Sequence, residues 1–294
     1  MKKTRSKSFY GWLFLSPYLL LVVLFFIVPL VFAIYFSFTR YSLMWGGIEN
    51  AKFIGLKNFK NLIQDKTFLL SLKNTLVFVA LSLPTQLILS FSLAYILNSN
   101  ILRNKGFFRT VFYIPTLTST VAITLIFSYM FQSDGLINMF ISIFYPLEVN
   151  WLDSISLIKF PVVIMYSWIK IGVYMLIYLS GFMGIPSSFY ETLKLEGGNL
   201  YQKLRLIVIP TLKNVTYFIA TMILIDSFKL FDIPFIISKG TGGPLNATLT
   251  TVIYIYKSAF TSGRMGYASA ASLILFLIIF TFAKLQSYLK RKLS

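Results

Sequence analysis

Long stretches without a single charged side chain dominate this chain and leave it very few folds. Phe9 to Thr39, Asn74 to Leu102 and Thr110 to Ser133 contain no Asp, Glu, Lys or Arg. Phe160 to Tyr190 is interrupted only by Lys170, and Met265 to Ala283 is again uncharged. Each run exceeds the roughly 18 residues at which a transmembrane helix becomes the default reading. A further segment, Asn214 to Ser238, is apolar apart from Asp226, Lys229 and Asp232. The pattern predicts an all-α membrane protein of six spans in one domain, residues 1–294. Composition agrees: 57% of residues are hydrophobic and 12% are charged, against about 25% charged in soluble domains.

The net charge of +18 raises nucleic-acid binding, but the cations flank the apolar runs and form no single basic face. No nucleic-acid partner is expected. Of the 27 Lys and Arg residues, Lys170 and Lys229 fall within spans. With the N-terminus inside, fifteen of the rest lie in inner segments and ten in outer ones. The short inner segments are dense in charge, as at Arg103, Lys105 and Arg109 or Lys194, Lys203 and Arg205. The positive-inside rule then predicts N-in, C-in. Met1-Lys2-Lys3-Thr4-Arg5 also resembles the start of a secretory signal. The following run is too long for one and lacks a small-residue cleavage site, so a retained first helix is expected. Pro17 and Pro29 should kink that helix or mark its ends.

The chain has no Cys and no His, which excludes disulfides, thiolate metal sites and His-based acid–base chemistry. Gly-x-x-x-x-Gly-Lys-Ser/Thr is also missing, so any ATP and its Mg²⁺ belong to a separate chain. Neither an enzyme nor a resident cofactor is expected.

Residues 185–210 form a polar insert between two apolar runs. Pro186 and Ser187 should stop the incoming span. Ser188 stands three residues before Glu191, the spacing of a capping box. Gly197-Gly198 should end that helix, because glycine takes the left-handed conformation cheaply. Asn199 is a candidate cap for a second helix, which Pro210 should close.

Within this insert Gly197 follows Glu191 by six positions, Ile207 by sixteen and Pro210 by nineteen. That order and spacing resembles the coupling loop of ABC importer permeases. Phe53 to Phe59, Asp65 and Asn74-Thr75 are similar to the segment before the second span of the sugar-type members. Gly242-Gly243-Pro244 through Ala270 resembles their last outer loop and sixth span. The resemblance implies the six-helix type I importer permease fold in a bacterial cytoplasmic membrane, with a coupling helix between spans four and five. It implies an ATPase groove receiving Glu191, Thr192, Leu193, Glu196, Gly197, Gly198 and Pro210, with basic groups opposite Glu191. Thr192 and Leu193 stand where the family usually has small Ala, and Gly198 also departs from its pattern. Implied partners are a second homologous permease, giving a heterodimer, two ATPase subunits, an extracellular solute-binding protein, a sugar or oligosaccharide, and lipids. The same architecture also serves other solutes such as glycerol phosphate. An ion-coupled secondary transporter fits the composition but needs no such loop.

Ionisable residues at membrane depth cost about 2.5–3.5 kcal/mol each on insertion scales and usually face the protein interior. Lys170 and Asp226 are therefore either a structural ion pair or, with Tyr174, Tyr178 and Ser227, the lining of a polar pathway. Asp226 with Lys229, three residues on, is the other available pair. Hydroxyls and aromatic faces suit sugars, and the resemblance places substrate contacts in the same two spans.

Overall fold

The computed structural model describes residues 3–42, 44, 46, 48–99, 102–144 and 148–293; Lys2, counted above among the inner cations, lies outside them. The chain divides into two compact units, Met1–Leu69 with Ile255–Leu277, and Leu70–Tyr254 with Ile278–Ser294.

In the first unit, α1 (Lys3–Val22) runs through a π-helical turn, Val23–Ile27, into α2 (Val28–Ser37). Pro17 stays inside α1, and Pro29 sits at the start of α2, where the fixed φ of proline suits a first turn. Within the apolar stretch Tyr10–Ser37, only Ser37 at its end is buried. A short antiparallel pair, β1 (Thr39–Arg40) with β2 (Lys52–Phe53), turns the chain back. Next comes α3 (Lys57–Gln64), whose buried Asn58 donates to the carbonyls of Ser37 and Thr39, both at 2.9 Å. Those two bonds use carbonyls that the end of α2 leaves without helical partners. Leu62 faces inward and Ile63 outward, as an amphipathic helix requires. Asp65 then caps α4 (Lys66–Asn98), accepting from the amides of Thr67 and Phe68. Its other oxygen accepts from the Tyr267 hydroxyl at 3.1 Å.

The second unit is built on α8 (Lys159–Met183). One core cluster gathers Tyr174, Tyr178 and Phe182 of α8 with Ala94, Leu97, Val208 and Ile219. The other gathers Val162, Met165 and Tyr166 of α8 with Phe78, Ile123, Leu230 and Ile233. A helix buried on nearly all sides needs close crossings, and Gly172 provides one. A Cβ there would lie 2.3 Å from the Phe112 carbonyl oxygen of α5 (Lys105–Leu117), so only glycine fits. Asn74 of α4 donates to the carbonyls of Asn246 and Leu249, and Thr75 accepts from the Thr251 amide. These bonds tie α4 to the loop ahead of α14 (Thr251–Tyr256), which precedes α15 (Met265–Leu293).

Among the described residues, four helices are long and apolar enough to cross a membrane: Tyr10–Ser37, Lys66–Asn98, Lys159–Met183 and Met265–Lys292. The other two expected spans are interrupted. The run Thr110 to Ser133 is not one straight helix but α5 and α6 (Thr120–Met130), bent by 100°. Thr118 is extended at the break, and its hydroxyl turns back to the Ile114 carbonyl. Thr116, Thr118, Ser119 and Thr120 supply local acceptors and donors that compete with the helical ladder. The run Asn214 to Ser238 forms α12 (Lys213–Phe228), a break at Lys229–Phe231, and α13 (Asp232–Ile237).

Candidate functional site

Two features stand out in the second unit: the insert between α8 and α12, and a cavity where the two helix breaks meet. The insert begins with α9 (Ser187–Leu195), whose N-cap is Pro186 with no side-chain cap bond. The expected Ser188–Glu191 capping box is therefore not formed. Ser187 is already the first helical residue, so Ser188 lies two positions past the N-cap, too deep to cap. The other end follows expectation. The Gly197 amide donates to the Lys194 carbonyl, and the Gly198 amide to the Leu193 carbonyl at 2.8 Å, with Gly197 at φ +73°. That bond pair is a Schellman motif. It also explains two departures noted above. A Cβ on Gly198 would lie 2.4 Å from the Leu193 side chain, so the larger Leu193 occupies what residue 198 gives up.

Asn199 caps α10 (Leu200–Gln202) through a full capping box: its side chain accepts from the Gln202 amide, and the Gln202 side chain accepts from the Asn199 amide. A π-helical turn, Lys203–Val208, leads into α11 (Ile209–Thr211). Pro210 does not close this helix as expected. The wider π turn makes room where its ring would strike a carbonyl one turn back, and α12 continues after Leu212.

Glu191, Thr192, Glu196, Gly197 and Pro210 are all exposed, while Leu193 and Gly198 are half-buried. Tyr190 and Leu193 anchor α9 against the first core cluster. The Lys203 ammonium lies 4.9 Å from the Tyr190 ring centre and 5.8 Å from that of Tyr95, joining α4, α9 and the π turn. Burial raises the Tyr190 phenol above its ordinary pKa, and nearby Tyr95 adds to the shift. Sequence reasoning missed this clamp, since nothing local links residues 95, 190 and 203. α9 also carries two exposed apolar side chains, Leu195, 90% exposed, and Phe189.

The cavity holds about 320 Å³ and is lined by Thr116, Thr120, Tyr166, Lys170, Asp226, Lys229 and Asp232, among others. Asp226 is its electrostatic centre. One oxygen meets Lys170 at 3.4 Å and accepts from the Tyr174 hydroxyl at 3.3 Å; the other meets Lys229 at 3.5 Å. Both of the alternative pairs thus form around one carboxylate. Of the five expected pathway residues, Lys170 and Asp226 line the cavity. Tyr174, Tyr178 and Ser227 are buried in the packing behind it. Tyr178 donates to Thr216, and the Ser227 hydroxyl makes no hydrogen bond of good geometry. Thr116, Thr120, Tyr166 and Asp232 were missed as wall residues; the Thr116–Thr120 hydroxyl cluster inside an apolar run was the available signal.

Non-helical backbone at membrane depth is tolerated where protein buries it or where it borders a water-filled cavity. Both breaks meet these conditions. Thr116 donates to the Ile169 carbonyl across the first, and Thr250 to the Leu230 carbonyl at the second.

Residues 72–294 match the family described as binding-protein-dependent transport system inner membrane component. The chain is similar to the probable ABC transporter permease YesP of Bacillus subtilis (strain 168), 33% identical over 95% of this chain and 90% of that protein. It is 32% identical to the lactose transport system permease LacF of Rhizobium radiobacter, over 96% of this chain and 94% of LacF. Identity is also 32% with AmyD of Thermoanaerobacterium thermosulfurigenes, a probable permease for starch degradation products, over 96% of this chain and 94% of AmyD. A subunit of a bacterial alginate ABC transporter, solved with its alginate-bound periplasmic protein, shares the fold at a TM-score of 0.83 and 19% identity, covering 99% of this chain and 97% of that one. The chain belongs to the binding-protein-dependent transport system inner membrane components.

Proposed function

We propose that this chain is the permease subunit of an ATP-driven importer for a sugar or oligosaccharide. It sits in a bacterial cytoplasmic membrane and forms half of a translocation pathway completed by a second, homologous permease. Six spans run through α1–α2, α4, α5–α6, α8, α12–α13 and α15, with both termini inside and α9 facing the cytoplasm. The carrying observation is α9 itself: a short helix closed at its C-terminal end by a Schellman motif, clamped to its own unit through Tyr190 and Leu193 and leaving Glu191, Phe189 and Leu195 exposed. A helix so held transmits a push from a partner to α8 and α12 as a rigid body. Glu191, Thr192, Leu193, Glu196, Gly197, Gly198 and Pro210 form or shape the surface that couples to one of two ATPase subunits. ATP and Mg²⁺ belong to those subunits. An extracellular binding protein delivers the solute.

The cavity at Asp226 is the part of the pathway this chain supplies. Asp226 accepts hydroxyl hydrogens, Lys170 and Lys229 donate, and Tyr174 positions Asp226 from behind. Relatives named for lactose and starch degradation products point to sugars. Lys170 and Lys229 favour a second reading, a phosphate-bearing solute such as glycerol phosphate. Asp226 and Asp232 on the same wall offset them. An ion-coupled secondary transporter would leave α9 without a role.

Uptake of labelled lactose, maltotriose, arabinotriose and glycerol 3-phosphate, in cells with and without this chain, tests the proposal. Loss of an ATP-dependent sugar uptake is the expected result; loss of glycerol 3-phosphate uptake alone would overturn the sugar class.

A further inference from the structure

A second, larger cavity of about 740 Å³ lies at the far ends of the same two helices that border the first. α6 lends Thr120 to the Asp226 cavity and Tyr129 to this one; α13 lends Ile233 to the first and Ile236 to the second. Nine residues separate Thr120 from Tyr129, about 13 Å along a helix. The two cavities are successive stations on one helix pair, and in the topology proposed above the second is the outer one.

Its wall combines aromatic faces with hydroxyl-binding groups. Tyr129 and Trp151 line it, together with Asp134, Asn150, Asp153 and Lys239. The arrangement is built. Buried Asn138 of α7 (Leu136–Ser142) donates to the carbonyls of Gln132, Ser133 and Val149 and accepts from the Trp151 indole nitrogen at 2.9 Å. One amide thus locks two turns and the indole together, and Phe131 makes a T-shaped contact with the same ring, centroids 5.9 Å apart. Across the cavity Lys239 is held at φ +50°, a backbone strain that a lysine adopts only where its surroundings enforce it.

We propose that this second cavity is a saccharide-binding site in its own right, selective for neutral sugar units. The inference rests on the sugar-importer reading. Aromatic faces cover the apolar C–H faces of a sugar ring, while ionised carboxylates, which only accept, take its hydroxyl hydrogens. Asp134 and Asp153 against the single Lys239 leave the wall negative. A uronate, which brings its own carboxylate, is repelled, whereas a neutral sugar is not.

Because the chain has no native cysteine, Ser133→Cys places one reporter thiol on the exposed part of this wall. The complete transporter in membrane vesicles is treated with a membrane-impermeant maleimide, with and without millimolar lactose, maltotriose, arabinotriose or trigalacturonate. Whichever neutral sugar the unaltered transporter takes up should slow labelling at least threefold, and trigalacturonate should not. Adding Tyr129→Ala, or Asp134→Asn with Asp153→Asn, should remove the protection while membrane levels hold. Unchanged labelling in the presence of a sugar that is transported overturns the site but leaves the sugar reading intact. Equal protection by trigalacturonate overturns its selectivity for neutral sugars. If no sugar is transported at all, both readings fall.

Discussion

The α9 insert and the Asp226 cavity both interrupt long helices, yet they are made in opposite ways. The insert is assembled from local devices: a Schellman motif at Gly197-Gly198, a capping box at Asn199–Gln202 and a π turn ahead of Pro210. Each acts within about six residues. The cavity depends on contacts between distant segments: Lys170 and Asp226 are 56 positions apart, and Thr250 reaches back 20 to Leu230. The first leaves Glu191, Phe189 and Leu195 exposed. The second pairs the Asp226 charge internally, with Lys170 and Lys229.

If that contrast is right, damage should spread further from the cavity than from the insert. The largest effect is expected for Asp226→Ala, which leaves two ammonium groups facing each other. The cost is about 2–3 kcal/mol, below the 3–5 kcal/mol of a fully buried pair because Lys170 and Lys229 are partly exposed. Uptake should fall more than tenfold, and adding Lys170→Ala should recover part of it. If the double variant is no better than the single one, the carboxylate acts on the solute and not on its neighbours.

A smaller loss is expected for Gly197→Val. A β-branched residue in the left-handed region costs about 1–2 kcal/mol, so the end of α9 should fray and uptake should drop severalfold at normal membrane levels. A matching drop in membrane level would instead make α9 a folding element. The smallest effect is expected for Ser188→Ala, within about 0.5 kcal/mol, since Ser188 caps nothing. A clear loss of uptake there would restore the capping role that the sequence spacing suggested.

This division also accounts for what could be read from the sequence. Glycine at a helix end and asparagine three residues before glutamine act through the backbone beside them, so Gly197 and Asn199 were identified correctly. Ser188–Glu191 had the right spacing, but whether a helix starts at 187 or 189 depends on Pro186 and on packing. Hydropathy located the apolar segments but missed the breaks in two of them, because breaks at Thr118 and Lys229 survive only where other helices satisfy them. The role of Tyr174 behind Asp226, and of Thr116 on the wall, needed the three-dimensional arrangement of α5, α8 and α12.

The central claim is that α9 is the handle by which an ATPase moves this permease. A thiol at the exposed Glu191 position, in a chain without native cysteine, tests it directly. The complete transporter carrying Glu191→Cys is treated in membranes with a short bismaleimide and resolved by mass. The account predicts a cross-linked product of this chain with the ATPase subunit, its yield changing when ATP is bound. No cross-link to the ATPase, with the same thiol labelled from the outer face of intact cells, would contradict it.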